Sequence, residues 1–285
     1  MSLTEAGPAR ARDLASVKNV MKAVTPGLAG IVHATRLSAA LELGGIYLSV
    51  LEGKGSGSGW DGGEAVAAAR ILRGRTTPVV FDCGANLGSW TEGVRARLGH
   101  GRGQWMLVEP VAEYAERLRG LGNVCVIEAA VGETAETLEL HVPDRPSGWT
   151  SLHRRRDSFA AGVTFSTREV PVLRIDDIIG THGIRQVDFL KLDLEGHELF
   201  ALRGARASLE RRKISALSFE FGSANVNSRT FFRDIWDLLA PLGYRIGRIV
   251  PGGRIRRVAR YDETLEFFRG ATNYVAVLPP GRGMF

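Results

Sequence analysis

Cysteine is almost missing from this chain, with 2 in 285 residues. That excludes a disulfide framework and a thiolate zinc cluster. Cys83 and Cys125 each lie inside an apolar run, the setting of small buried residues in a reducing compartment. Long hydrophobic runs are missing too, and nothing approaches the ~20 apolar residues of a membrane span. Residues 1–13 carry Glu5 and Asp13 and lack the apolar core of a secretory leader. The expectation is a cytoplasmic protein with no membrane span. Basic runs at 154–156, 211–213 and 254–257 account for much of the +6 net charge, but no aromatic residues interleave with them. They read as a solvated surface, and nucleic acid is not the expected partner.

What is present is an ordinary globular composition, 44% hydrophobic and 24% charged. At this length one α/β domain with an N-terminal extension is the simplest organisation. Residues 14–51 favour helix and are followed by a glycine-serine hinge at 53–59. The expected division is an N-terminal helical cap with its hinge over 1–75 and a catalytic domain over 76–285, with residues 65–72 forming a helix against the core. From residue 78 onward, apolar runs at 79–82, 106–109, 124–129, 189–193 and 217–220 alternate with helical segments. That pattern predicts a mostly parallel sheet with helices on both faces. Short extra strands at 137–142 and 169–173 bracket an arginine-rich loop. A helix over 230–239, a run at 244–250, a helical 263–268 and a last strand over 274–278 complete the chain.

The most informative stretch begins where the run Val79-Val80-Phe81 ends in Asp82 and opens into Cys83-Gly84-Ala85-Asn86-Leu87-Gly88, with Glu109 closing the next apolar run. Strand, glycine turn, helix, strand and acid form the layout of a nucleoside-binding unit. Gly84 and Gly88 permit a sharp turn and close backbone approach, and Glu109 stands where a carboxylate accepts hydrogen bonds from ribose hydroxyls. The middle glycine of a dinucleotide fingerprint is missing and an aspartate stands at the strand end. Asp82 disfavours a pyrophosphate, and with it a nicotinamide dehydrogenase, but suits a cationic ligand such as S-adenosylmethionine. Gly84, Asn86 and Gly88 would hold its methionine half, with Asp82 beside them. Glu109 would hold the ribose, and Ala130, small and at a strand end, would leave room for adenine.

These residues, with Glu109-Pro110, Leu190-Lys191-Leu192-Asp193-Leu194-Glu195-Gly196-His197-Glu198, Leu202-Arg203-Gly204-Ala205, Phe219-Glu220 and Leu242-Gly243-Tyr244, resemble the FkbM family of S-adenosylmethionine-dependent methyltransferases. The likeness runs from about residue 78 to 244. It implies a class I (Rossmann-like) methyltransferase fold, seven-stranded with the final strand antiparallel. It also implies O-methylation of a hydroxyl on a natural product of polyketide type or on a sugar residue of a glycolipid or oligosaccharide.

Methyl transfer from a sulfonium to an alcohol needs alignment, exclusion of water and a way to remove the hydroxyl proton. Asp193, at a strand end, His197, opening the next helix as a neutral base with Asp193 behind it, and Glu220, at the end of the adjacent strand, are the candidate catalytic residues. Asp193 and Glu220 converging there also offer a Mg²⁺ site, with the metal question left open. Glu195 is expected to bind backbone amides beside Gly196. Ser151, Trp60 and Trp149 are candidates for acceptor contact. Competing readings are a nucleic-acid methyltransferase, which the acidic 193–196 turn disfavours, and a non-catalytic module of the same fold.

Overall fold

The computed structural model describes Thr25, Leu28, Ala29, Val32 and residues 37–55, 63–99, 101–144 and 148–279. Most of the expected cap, residues 56–59 of the hinge and Trp60 lie outside the described residues. The chain divides into two compact units, Met1–Ser49 and Val50–Phe285. Helix α1, Leu37–Leu51, runs across that boundary and buries none of its own residues. No helix among the described residues is long and apolar enough to cross a membrane.

The second unit carries an eight-stranded sheet built on β1 (Val79–Cys83), β2 (Gln104–Val108), β3 (Cys125–Ile127), β7 (Phe189–Leu192) and β8 (Ala216–Gly222), all parallel. β11 (Ala271–Val277) inserts antiparallel between β8 and β9 (Arg245–Val250), and β10 (Arg254–Arg257) pairs on the outside of β9. The order is β10-β9-β11-β8-β7-β1-β2-β3. Seven of these strands match the expected class I arrangement, with β11, last in sequence, antiparallel. The eighth is a correction: the basic run at 254–257 is a strand. Gly252 and Gly253, both at positive φ, fold it back on β9 while its arginines stay mostly exposed.

Alternation along each strand sorts the core. Phe81, Met106, Leu190, Leu217 and Phe219 point to one face, under α5 (Ile175–Thr181), α6 (Glu198–Gly204), α7 (Arg206–Glu210) and α8 (Phe232–Leu239). Val80, Trp105, Leu107, Phe189 and Ala216 point to the other, with Ala65, Ala68 and Ala69 of α2 (Gly63–Ile71), Val94 of α3 (Ser89–Leu98) and Leu118 of α4 (Ala112–Arg119). Helices therefore cover both faces, because each strand is apolar on both. The expected helix over 263–268 is only a 3₁₀ turn, Glu263–Leu265. Glu266 leaves it to accept the backbone amides of Phe232 and Arg233, capping α8.

A second sheet of β4 (Ala130–Val131), β6 (Phe165–Leu173) and β5 (Glu136–Pro143) is inserted between β3 and β7. Its hairpin rests on Val111, Ala130, Leu140, Val142, Val170 and Val172. The chain runs β1 to β2 to β3 toward one edge of the main sheet, then returns to β7 and β8 on the other side of β1. The reversal opens a crevice at the carboxyl ends of β1 and β7, the place where open α/β sheets bind ligands.

Candidate active site

That crevice holds a cavity of about 400 Å³, within the range of small-molecule sites. Its near wall is the β1 turn. Gly84 has φ +76 and its Cα faces the Asp193 carbonyl so closely that any Cβ would collide with backbone. Asn86, also left-handed at φ +49, donates its backbone amide to Glu109 Oε2 (2.8 Å), and Val111 donates its amide to Oε1 (2.9 Å). Burial pushes the Glu109 carboxyl up to about 7, against the pull of those two amides. Gly84, Asn86, Glu109 and Ala130 all line the cavity.

Asp82 and Gly88 do not. Asp82 is fully buried beneath the turn, where Thr91 Oγ1 donates to it (2.7 Å) and Lys191 Nζ donates to it (3.1 Å). Its charge is spent inside the protein, so it supports the turn rather than meeting a ligand. Lys191 also faces Asp193 Oδ2 at 3.2 Å. Burial works against its ammonium, but Asp193 and Asp82 outweigh burial and hold it protonated above the usual lysine range. Gly88 caps α3 at φ +85, where a Cβ would strike Leu121 and Leu118.

The far wall is assembled from β7, β8 and the inserted loop. Asp193, Glu195 and Glu220 bring carboxylate oxygens within 4.8 Å of one another. Burial, then Asp193 and Glu195, raise the Glu220 carboxyl well above the usual range. Glu195, itself left-handed at φ +50, takes a short hydrogen bond from Arg155 Nη1. Arg155 is anchored in turn to both oxygens of Asp157 (2.9 and 3.1 Å). A guanidinium thus already supplies positive charge to this cluster, and three acidic groups alone do not make a cation site. The backbone amides of Leu194 and Gly196 bind Glu198 rather than Glu195 (2.8 and 3.3 Å), because Arg155 draws the Glu195 side chain the other way.

His197 lines the same cavity but is not backed by Asp193. Its Nδ1 lies 2.9 Å from His153 Nε2, and its ring stacks on Phe200 at 4.6 Å. Burial, then His153, lower it to about 3, so the ring is neutral. Ser151 Oγ donates to the Glu195 carbonyl (2.8 Å) and accepts the His153 amide (3.0 Å), which fixes the loop to the 193–197 turn. Trp149 lines the cavity with the Arg155 guanidinium 5.6 Å from its ring centre.

Sequence reasoning missed Arg155 and His153. Arg155 sits in a run of three arginines whose other members, Arg154 and Arg156, are exposed. The one available signal was Asp157 two residues on, a partner for a buried guanidinium.

Residues 82–246 match the family model described as "Methyltransferase FkbM domain". No curated protein matches the chain. Among solved structures, the chain is similar to a methyltransferase FkbM from Methylobacillus flagellatus KT (19% identity, TM-score 0.44, covering 73% of this chain and 47% of that one). It is also similar to a precorrin-6y C5,15-methyltransferase from Geobacter metallireducens GS-15 (12%, TM-score 0.37, 75% and 86%). A third is a SAM-dependent O-methyltransferase from Thermotoga maritima (15%, TM-score 0.38, 76% and 65%). The chain thus spans about half the length of the Methylobacillus protein.

Proposed function

Because the chain belongs to the FkbM methyltransferase family, we propose that it transfers a methyl group from S-adenosylmethionine to a hydroxyl of a sugar residue or polyketide-type product. The observation that carries the reading is the two-sided cavity, with the glycine turn and Glu109 on one wall and Trp149 beside clustered carboxyls on the other. Carboxyl oxygens accept hydrogen bonds from a polyol, and an aromatic face stacks on a sugar ring.

The residues present suit the cofactor. Glu109 is a buried carboxyl raised toward neutrality, and ribose hydroxyls donating to it would favour its ionised form. Gly84 and Asn86 line the cavity where the methionine half would lie, and Ala130 lines it where adenine would lie. When bound, the cofactor supplies a methyl group carried on a sulfonium. Asp193 and Glu220 orient the acceptor hydroxyl at the carboxyl edge of the sheet, and His197, a neutral ring on the same wall, accepts its proton. No metal is assigned a part in this. The catalytic domain proposed over 76–285 uses α2 as a covering helix on its core, with the remaining N-terminal residues as the cap.

The test is incubation with isotopically labelled S-adenosylmethionine and extracts of glycolipids, oligosaccharides and polyketides, followed by mass spectrometry. Label in a hydroxyl-bearing product is the expected result, falling by a factor of about 10² to 10⁴ in His197→Ala with cofactor affinity nearly unchanged. Label appearing only in nucleic acid, or on nitrogen or carbon, would overturn the reading.

A further inference from the structure

His197 presents a difficulty as a base. It lies on the cavity wall at 6% exposure, stacked on Phe200, so a positive charge on its ring would be trapped in an apolar setting. A ring that cannot keep a proton can still pass one on. Its second nitrogen is already engaged: Nδ1 lies 2.9 Å from Nε2 of His153, a residue 44 positions away on the inserted loop. His153 does not line the cavity and is only half-buried. The two rings stand 5.0 Å apart at 40°, and both rest against Phe200. Ser151 pins the loop beneath them. A Cβ at Gly132 would come within 3.2 Å of His197 Nε2, so the missing side chain leaves room beside that nitrogen. The pair therefore runs from the cavity wall toward solvent, one nitrogen at a time.

We infer that His153 is a positioning and proton-relay residue that carries away, through His197, the proton released by the acceptor hydroxyl. The inference rests on the methyltransferase reading of the cavity. The oxygen loses its proton to His197 Nε2 as the new C–O bond forms. His197 releases its Nδ1 proton to His153 Nε2, and His153 releases its own Nδ1 proton to water. One proton enters the pair, one leaves, and neither ring becomes an imidazolium. Return of both rings to their starting tautomers resets the relay.

His153→Gln separates relay from scaffolding, because an amide oxygen accepts the hydrogen bond from His197 Nδ1 but cannot pass a proton through. Nitrogen-15 spectra of the cofactor-free protein report the exchange of the His197 N–H with solvent. The relay predicts exchange slowed about tenfold or more in His153→Gln, with melting temperature and S-adenosylmethionine affinity at parent values. Turnover on the labelled extract product should fall by a similar factor, and added imidazole should restore it in His153→Ala but not in His153→Gln. If His153→Gln does not fold, His153→Phe, which keeps the ring stack, gives the same readout. Exchange and turnover at parent rates in whichever variant folds would overturn the relay. A parent protein that exchanges as expected but neither binds S-adenosylmethionine nor labels any extract would instead sink the methyltransferase reading.

Discussion

The two walls of the cavity are built on different principles. The β1 wall is local and made largely of backbone: a glycine turn, and a carboxylate that accepts an amide only 23 residues away. The opposite wall joins side chains across the inserted sheet, with Arg155 reaching Glu195 over 40 residues and Ser151 and His153 reaching the 193–197 turn over 44. A backbone wall is fixed as soon as β1 and β2 pair. A side-chain wall exists only when the loop docks, so its integrity should depend on single ion pairs. On the function proposed above, cofactor recognition would be built into the sheet, whereas acceptor recognition would be a property of a docked insertion.

The contrast is broken most severely at Arg155, which is 7% exposed and bound to two carboxylates. Arg155→Ala leaves those carboxylates without their cation and should cost about 3–5 kcal/mol of stability, read as a lower denaturant midpoint. An unchanged midpoint would mean the loop docks without it. On the backbone wall the corresponding change should spare the fold and weaken binding. Glu109→Ala is expected to reduce S-adenosylmethionine affinity by about 1.5–3 kcal/mol in calorimetry, with NAD bound more weakly than S-adenosylmethionine by the parent protein.

A smaller effect follows from protonation. With the Glu109 carboxyl at about 7 in the free site, ribose hydroxyls meet its ionised form mainly above that pH. Cofactor affinity should rise about tenfold between pH 6 and pH 8, and Glu109→Gln should flatten the profile. Stability runs the other way. Glu64, Glu109 and Glu198 are each raised by burial to about 7. These carboxyls, with Glu195 and Glu220 raised likewise, outnumber His197 and His153, which burial holds neutral in the fold. The folded state therefore binds more protons than the unfolded state between the ordinary value of 4.5 and about 7, and the ligand-free melting temperature should drop as pH rises through that window. A melting temperature that climbs over the same range would contradict the burial of these groups. The smallest effect is reserved for the neighbours of Arg155: replacing Arg154 and Arg156 with glutamine should change stability by no more than about 0.5 kcal/mol.

Much of the fold was legible in the sequence because its strands are short apolar runs, buried on both faces and bounded by turn residues. The five central parallel strands sit within a few residues of their expected limits. β10 was not legible, since Arg254-Ile255-Arg256-Arg257 has the composition of a surface run and becomes a strand only by pairing with β9. Motif spacing grouped Gly84, Asn86, Glu109 and Ala130, and all four line the same cavity. Asp82 was misplaced, because the lysine that neutralises it lies 109 residues away. Glu195 gives up its expected backbone partners to Glu198 for a similar reason: sequence proximity does not say which of two neighbouring carboxylates an arginine on another element will claim.

The sequence by itself determined the alternation of elements, the glycine turn and the acid that closes the second strand. These depend on residue spacing and on backbone conformations that few residues tolerate. Only the tertiary structure decided that Asp193, Glu195 and Glu220 converge, that Arg155 is buried while Arg154 and Arg156 are not, and that His153 stands behind His197. Those pairings are made between elements distant in sequence. Side-chain hydrogen bonds form within about 3 Å, a distance set by how the insertion packs against the sheet rather than by any local pattern in the chain.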